Sequence, residues 1–109
     1  MGSLAVGDIV LVAFPFSDFS SLKKRPAIVV GNAEFDNLIL CQITSNPETS
    51  KIALGLSDSD FDEGALHVES FIRIDKLFTI DRSVIRTRLG TLNKAKTDTV
   101  KKTVRELFI

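Results

Sequence analysis

The sequence predicts a small, mainly β protein closed by a single C-terminal helix. Three observations predict it. Short β-branched and aromatic runs recur through residues 9–80, each bounded by Gly, Pro or Asn punctuation. From Asn93 onward the apolar spacing changes to the period of a helix. At 109 residues the chain is long enough for one real core and too short for two, so it is read as one domain over residues 1–109.

Taken in order, Gly7-Asp8 precedes "IVLVAFPF", a first strand ended by Pro15. Residues 17–24, "SDFSSLKK", read as a polar loop. Ala27 to Val30 form a second strand, with Gly31-Asn32 as its turn signal. Leu38 to Thr44, "LILCQIT", is a third, stopped by Asn46-Pro47, and "IALGL" at 52–56 is a short fourth. An acidic loop at 57–64 follows. "SFIRIDKLFTI" at 70–80 is one bent strand or two short ones, with Phe71, Arg73 and Asp75 alternating against Ile72 and Ile74. Asn93 caps a helix over Lys94–Leu107 whose apolar positions are Val100, Val104, Leu107 and Phe108. Lys101, Lys102 and Arg105 sit toward its C-terminus, where the helix dipole favours cations. Short strands and one terminal helix make a small antiparallel β-barrel or sheet with the helix packed on it.

Composition excludes several classes. No stretch of about 18 apolar residues exists to span a membrane, and the N-terminus lacks the basic and apolar regions of a signal peptide. A cytoplasmic protein is expected. The single cysteine, Cys41, allows no internal disulfide and reads as a buried, inert thiol. The formal net charge of zero hides an asymmetry. Residues 1–30 carry three cations and two anions, residues 31–70 one cation and eight anions, and residues 71–109 ten cations and four anions. Nonspecific attraction to nucleic acid is therefore weak overall, while a basic face opposite an acidic one is allowed.

Three motifs offer chemistry that their surroundings do not support. Asp58, Asp60, Asp62 and Glu69 fall at calcium-loop positions, but Glu63 stands where the sharp turn demands Gly and the flanks read as strand. A solvated acidic loop is the expectation. Ser20-Ser21-Leu22-Lys23 matches a bare Ser-x-x-Lys without the further motifs that such enzymes need. His67, the only histidine, lacks companions for a metal site and excludes a two-histidine ribonuclease mechanism.

Four segments in order resemble the MazF/PemK (Kid) family of toxin endoribonucleases. They are Gly7-Asp8-Ile9-Val10, Arg25-Pro26-Ala27-Ile28-Val29-Val30, "ITSN" at Ile43 to Asn46, and "IRIDKLFTID" at Ile72 to Asp81. The resemblance spans nearly the whole chain. It implies an SH3-like β-barrel with a C-terminal helix, a homodimer, and a loop between the first two strands that gates the active site. It further implies Arg25 and Thr44 as the catalytic pair, with Arg73 and Asp75 as a supporting Arg-x-Asp pair. Lys23, Lys24 and Ser45 are the accompanying RNA-binding candidates. The PemK branch carries a His in the first loop, and residues 17–24 contain none. The implied function is a metal- and cofactor-independent endoribonuclease acting on single-stranded mRNA, silenced by an antitoxin whose acidic C-terminal peptide covers the groove.

The residue types suit that chemistry. Attack of an RNA 2′-hydroxyl on its own phosphate needs a base, an acid and positive charge on the phosphate oxygens, with no metal. The Arg25 guanidinium is a poor base but its planar fork fits a pentavalent phosphorus. Pro26 biases Arg25 toward extended backbone. Thr44 supplies a hydroxyl donor, and Asp75 is the candidate base, oriented by Arg73. The plainer alternatives are a loop cation for Arg25, a β-branched strand end for Thr44, and a cross-strand salt bridge for Arg73 and Asp75. The competing functions are a non-enzymatic gyrase-binding toxin like CcdB, which acts through its C-terminus, and an inactive interaction module.

Overall fold

The computed structural model describes residues 3–15, 22–47 and 51–109, with only the backbone of residues 14, 15, 22 and 23. Among the described residues, seven strands form one antiparallel sheet: β1 (Asp8–Pro15), β2 (Leu22–Ala33), β3 (Asn37–Thr44), β4 (Leu54–Leu56), β5 (Phe61–Gly64), β6 (Ser70–Asp81) and β7 (Ile85–Leu92). Their spatial order is β4-β6-β3-β2-β1-β7-β5, and helix α1 (Lys94–Glu106) follows. Register shifts interrupt the β1–β7, β2–β3, β3–β6 and β5–β7 pairings. Such bulges add local twist and bend, and the sheet curls into a half-barrel. The expected β architecture with a C-terminal helix is the one observed.

Strand alternation sorts the apolar residues into two cores. Ile9, Ile28, Cys41, Ile43, Ile72, Ile74 and Leu92 point to one face, where Leu56 and Val100 of α1 complete the cluster. Leu4, Val10, Val12, Ala27, Val29, Leu38, Leu40 and Ile85 cluster on the other face, with Phe78 and Ile80 against them. Asn93 caps α1, its side chain accepting the Lys96 N–H at 2.8 Å. Its own N–H donates to the Asp60 carbonyl at 2.8 Å, tying the helix to the acidic segment. Only Val100 of the expected apolar positions is fully buried. Val104 packs against the first core, whereas Leu107 and Phe108 lie exposed beyond the end of the helix at Glu106.

Several boundaries differ from the sequence reading. β2 begins at Leu22, so Lys23, Lys24 and Arg25 lie on a strand and not in a loop. Residues 17–21 of the expected loop, and with them Ser20 of the Ser-x-x-Lys motif, fall outside the described residues. Gly31-Asn32 makes no turn. A register shift leaves Val30 as the extra residue beside a still-paired Gly31, and the hairpin turns at Glu34–Asn37 instead. Phe35 and Asp36 there take positive φ of 59° and 61°, as a type I′ turn requires. The Asn37 side-chain amide donates to the Glu34 carbonyl at 2.9 Å, and Arg82 Nε donates to Asp36 Oδ1 at 2.9 Å, holding a turn that lacks the usual glycine.

The acidic segment is also built, not merely solvated. Asp58–Asp60 form one 3₁₀ turn, and Phe61–Gly64 pair with β7 at the sheet edge. Asp60 Oδ2 accepts the Ser57 N–H at 3.0 Å, and Asp58 Oδ1 accepts the N–H groups of Leu66 and His67, each at 3.1 Å. These carboxylates staple a loop. Gly64 has φ +74°, and a Cβ there would collide with the Leu89 carbonyl, so only glycine lets β5 approach β7 so closely. β7 itself went unpredicted.

Candidate active site

The strand registers bring the predicted cations together. Arg25 pairs with Val12 across β1–β2 and is half-buried. On its other side, Ala27 faces Gln42 of β3, which faces Arg73 of β6. Carried two residues back along β2, the same register sets Arg25 level with Thr44, which faces Phe71. Paired residues in antiparallel strands point to one face. Arg25, Thr44 and Arg73, from three adjacent strands, therefore share the face that carries Ala27 and Val29. Pro26 has no N–H for the ladder and restricts the residue before it, consistent with the extended backbone found at Arg25.

Each side chain has a distinct setting. Arg73 is half-buried, and its Nε has no hydrogen-bond partner among the described residues. A buried donor of this kind is costly unless something supplies an acceptor. Thr44 Oγ1 accepts the Asn46 N–H at 3.1 Å, a local turn that fixes the oxygen and leaves its O–H able to donate. Ser45 follows it, exposed at the strand end.

Asp75 is placed differently from its partner in the pattern. Gln42 faces Arg73 but Cys41 faces Leu77, so residues 74–76 bulge out of the β3–β6 ladder. Asp75 is exposed in that bulge, and no ion pair joins it to Arg73 among the described residues. The simple cross-strand salt bridge is not formed. The bulge brings Asp75 near Cys41, whose thiol is pushed up to about 12, first by burial and then by the Asp75 charge. Cys41 Sγ donates instead to the Ile74 carbonyl at 3.8 Å, which makes it an inert core thiol.

Two candidates are not gathered in the same way. Strand alternation sends Lys24 to the face opposite Arg25, where it is exposed. Lys23 has the parity of Arg25, but its side chain lies outside what the structure describes. His67 sits on the β5–β6 connection with φ 61°, 86% of its side chain exposed and Nδ1 3.7 Å from Asp58 Oδ2. No group of three or more His, Cys, Asp or Glu side chains is placed to hold a metal among the described residues. No helix among them is long and apolar enough to cross a membrane.

The family match decides what this arrangement belongs to. A family model described as "PemK-like, MazF-like toxin of type II toxin-antitoxin system" matches residues 5–108. The chain belongs to this toxin family.

Solved PemK/MazF-type structures share its fold. An endoribonuclease in complex with its cognate antitoxin, from a mycobacterial species, superposes with a TM-score of 0.74 at 12% identity, covering 99% of this chain and 95% of the other. MazF in a MazE–MazF complex from Deinococcus radiodurans gives 0.73 at 19% identity, with 94% of each chain covered. The toxin MazF-mt6 of Mycobacterium tuberculosis gives 0.69 at 17%, covering 93% and 95%. No curated protein sequence matches the chain.

Sequence reasoning passed over Gln42 and Phe71, which the register sets opposite Arg73 and Thr44 respectively. The available signal was parity. Gln42 is the polar residue two positions before Thr44, and Phe71 lies two before Arg73.

Proposed function

We propose that this PemK/MazF-family toxin is a sequence-selective, metal-independent endoribonuclease that cleaves single-stranded mRNA. The observation that carries the reading is the convergence of Arg25, Thr44 and Arg73 on one sheet face, with the Arg73 Nε buried and lacking an acceptor among the described residues. A phosphate supplies such acceptors. In the proposed reaction the RNA 2′-oxygen bonds to its adjacent phosphorus and passes its proton to a base, for which Asp75, the exposed carboxylate of the β6 bulge, is the candidate. The bond from phosphorus to the 5′-oxygen breaks, and that oxygen takes a proton from solvent. The products are a 2′,3′-cyclic phosphate and a 5′-hydroxyl. Arg25 and Arg73 bind the charge that grows on the equatorial oxygens, while the Thr44 O–H donates to one of them. The nucleophile belongs to the substrate, so this route calls on no metal. Lys23 and Ser45 serve the flanking backbone in this reading, and Lys24, on the opposite face, does not.

The family likeness supports a homodimer and a cognate antitoxin. An acidic, initially disordered segment that folds onto the groove would place carboxylates on Arg25 and Arg73. The acidic residues of 57–64 would steer it away from their own side. Incubation of purified protein with long RNA plus a chelator tests the reading. Discrete fragments are expected. Intact RNA from a protein that still arrests growth would favour the non-enzymatic, gyrase-binding class instead.

Thr44→Val is nearly isosteric and suits a strand at least as well. It is expected to lower cleavage about tenfold or more while costing roughly 1 kcal/mol of stability through the lost Asn46 turn bond. Urea melts paired with single-turnover rates check this. A variant that cleaves normally per folded molecule shows that the hydroxyl serves only the turn.

A further inference from the structure

Beside the cations, the same sheet face carries a row that phosphate chemistry does not use. Thr44 faces Phe71, and Phe71 in turn faces Gly55 of β4. Phe71 is half-buried, yet it belongs to neither core cluster and is not among the side chains packed against them. Gly55 needs no left-handed backbone, and a Cβ built on it would meet nothing within 4 Å among the described residues. The position across from Phe71 on β4 is therefore open among the described residues. In the neighbouring row Gln42 lies between Ala27 and Arg73, half-buried, its amide making no hydrogen bond among the described residues.

We propose that Phe71 is a nucleobase-stacking platform over the open space at Gly55, and that Gln42 reads the edge of a base held in the groove. This inference rests on the ribonuclease reading and deepens it by naming what selects the substrate. Arg25 and Arg73 hold phosphates and are blind to sequence. A base adjacent to the held phosphate meets Phe71, whose ring face is sequence-tolerant and favours an unstacked, single-stranded nucleotide. The Gln42 amide offers both donors and an acceptor, the pattern that distinguishes one base edge from another. Duplex RNA, whose bases are already stacked and paired, gains nothing from either.

The experiment uses an uncleavable, mixed-sequence 2′-O-methyl oligonucleotide carrying 2-aminopurine, whose fluorescence falls on stacking. It is titrated into wild-type protein and into Phe71→Ala and Phe71→Leu. Cleavage of ordinary RNA by the same samples is followed in parallel, with KM and kcat separated. Both variants are expected to bind roughly five- to hundredfold more weakly, the range for loss of one base–aromatic stack, and to lose the quench. KM should rise more than kcat falls. Phe71→Leu keeps apolar bulk on the strand, so it decides the matter should the alanine variant unfold. Gln42→Leu should flatten the base preference at mapped cut sites. Wild-type-like binding and quench in a folded Phe71→Leu protein would overturn the proposal. Stacking by a wild-type protein that cleaves no RNA would uphold the platform and sink the ribonuclease reading alone.

Discussion

Arg25→Ala is expected to lower RNA cleavage by about 10²–10³-fold, the usual loss when one donor to a developing oxyanion is removed. The fold should survive. Arg25 is half-buried and belongs to neither core cluster, so its truncation opens no cavity within them. The extended backbone at that position is held by Pro26 and by pairing to Val12, neither of which needs the side chain. Arg25→Lys is expected to fail nearly as badly, because a point ammonium cannot reproduce the planar, bidentate fork. Single-turnover rates on RNA, with urea melts of the same samples, separate the two effects. Wild-type rates from folded Arg25→Ala protein would remove Arg25 from the mechanism.

The second large effect is on stability and comes from the same strand as Arg73. Ile72 is wholly buried in the first core, paired with Ile43 on one side and Leu54 on the other. Ile72→Ala is expected to cost about 2–5 kcal/mol, the range for a buried aliphatic truncation that leaves a cavity. Against a total of roughly 5–15 kcal/mol for a domain, that leaves a marginal protein. Arg73→Ala, one residue on, should do the opposite: little change in the urea midpoint and a severe loss of cleavage. Alternation along β6 thus sets a core residue and a proposed phosphate ligand at successive positions. Equal destabilisation by both substitutions would show that Arg73 is a structural residue.

Much of this was legible before any coordinates. The runs that became β1, β3 and β6 carry their β-branched and apolar content in sequence order, and Asn93 announces the helix that it caps. What escaped has identifiable causes. β7 reads "IRTRLGTL", whose Arg86, Thr87 and Arg88 are exposed, so its apolar signal is thin and its place beside β1 is a long-range fact. Gly31-Asn32 looked like a turn because glycine signals both turns and bulges, and only the register shows which. The acidic segment looked solvated because carboxylates that cap turns have the same composition as carboxylates that face water.

The site was half legible for similar reasons. Arg25 before Pro26 and Thr44 at a strand end carry local signals. Their nearness to Arg73 depends on three strands being adjacent, and the departure of Asp75 from the ladder depends on a bulge that alternation alone hides. Gln42 and Phe71 carry no motif. They become visible only when the register sets them in the rows of Arg73 and Thr44.

The central claim is that this sheet face drives an RNA 2′-hydroxyl onto its own phosphate without a metal. The most direct measurement takes an oligonucleotide spanning a mapped cut site and compares it with the same oligonucleotide lacking one 2′-hydroxyl, the one 5′ to the cut bond. Both are incubated with wild-type protein and a chelator. The expected result is cleavage of the all-ribose strand to a 2′,3′-cyclic phosphate and a 5′-hydroxyl, with the singly deoxy strand left intact. Cleavage of both strands alike, or cleavage that disappears with the chelator, would contradict the account.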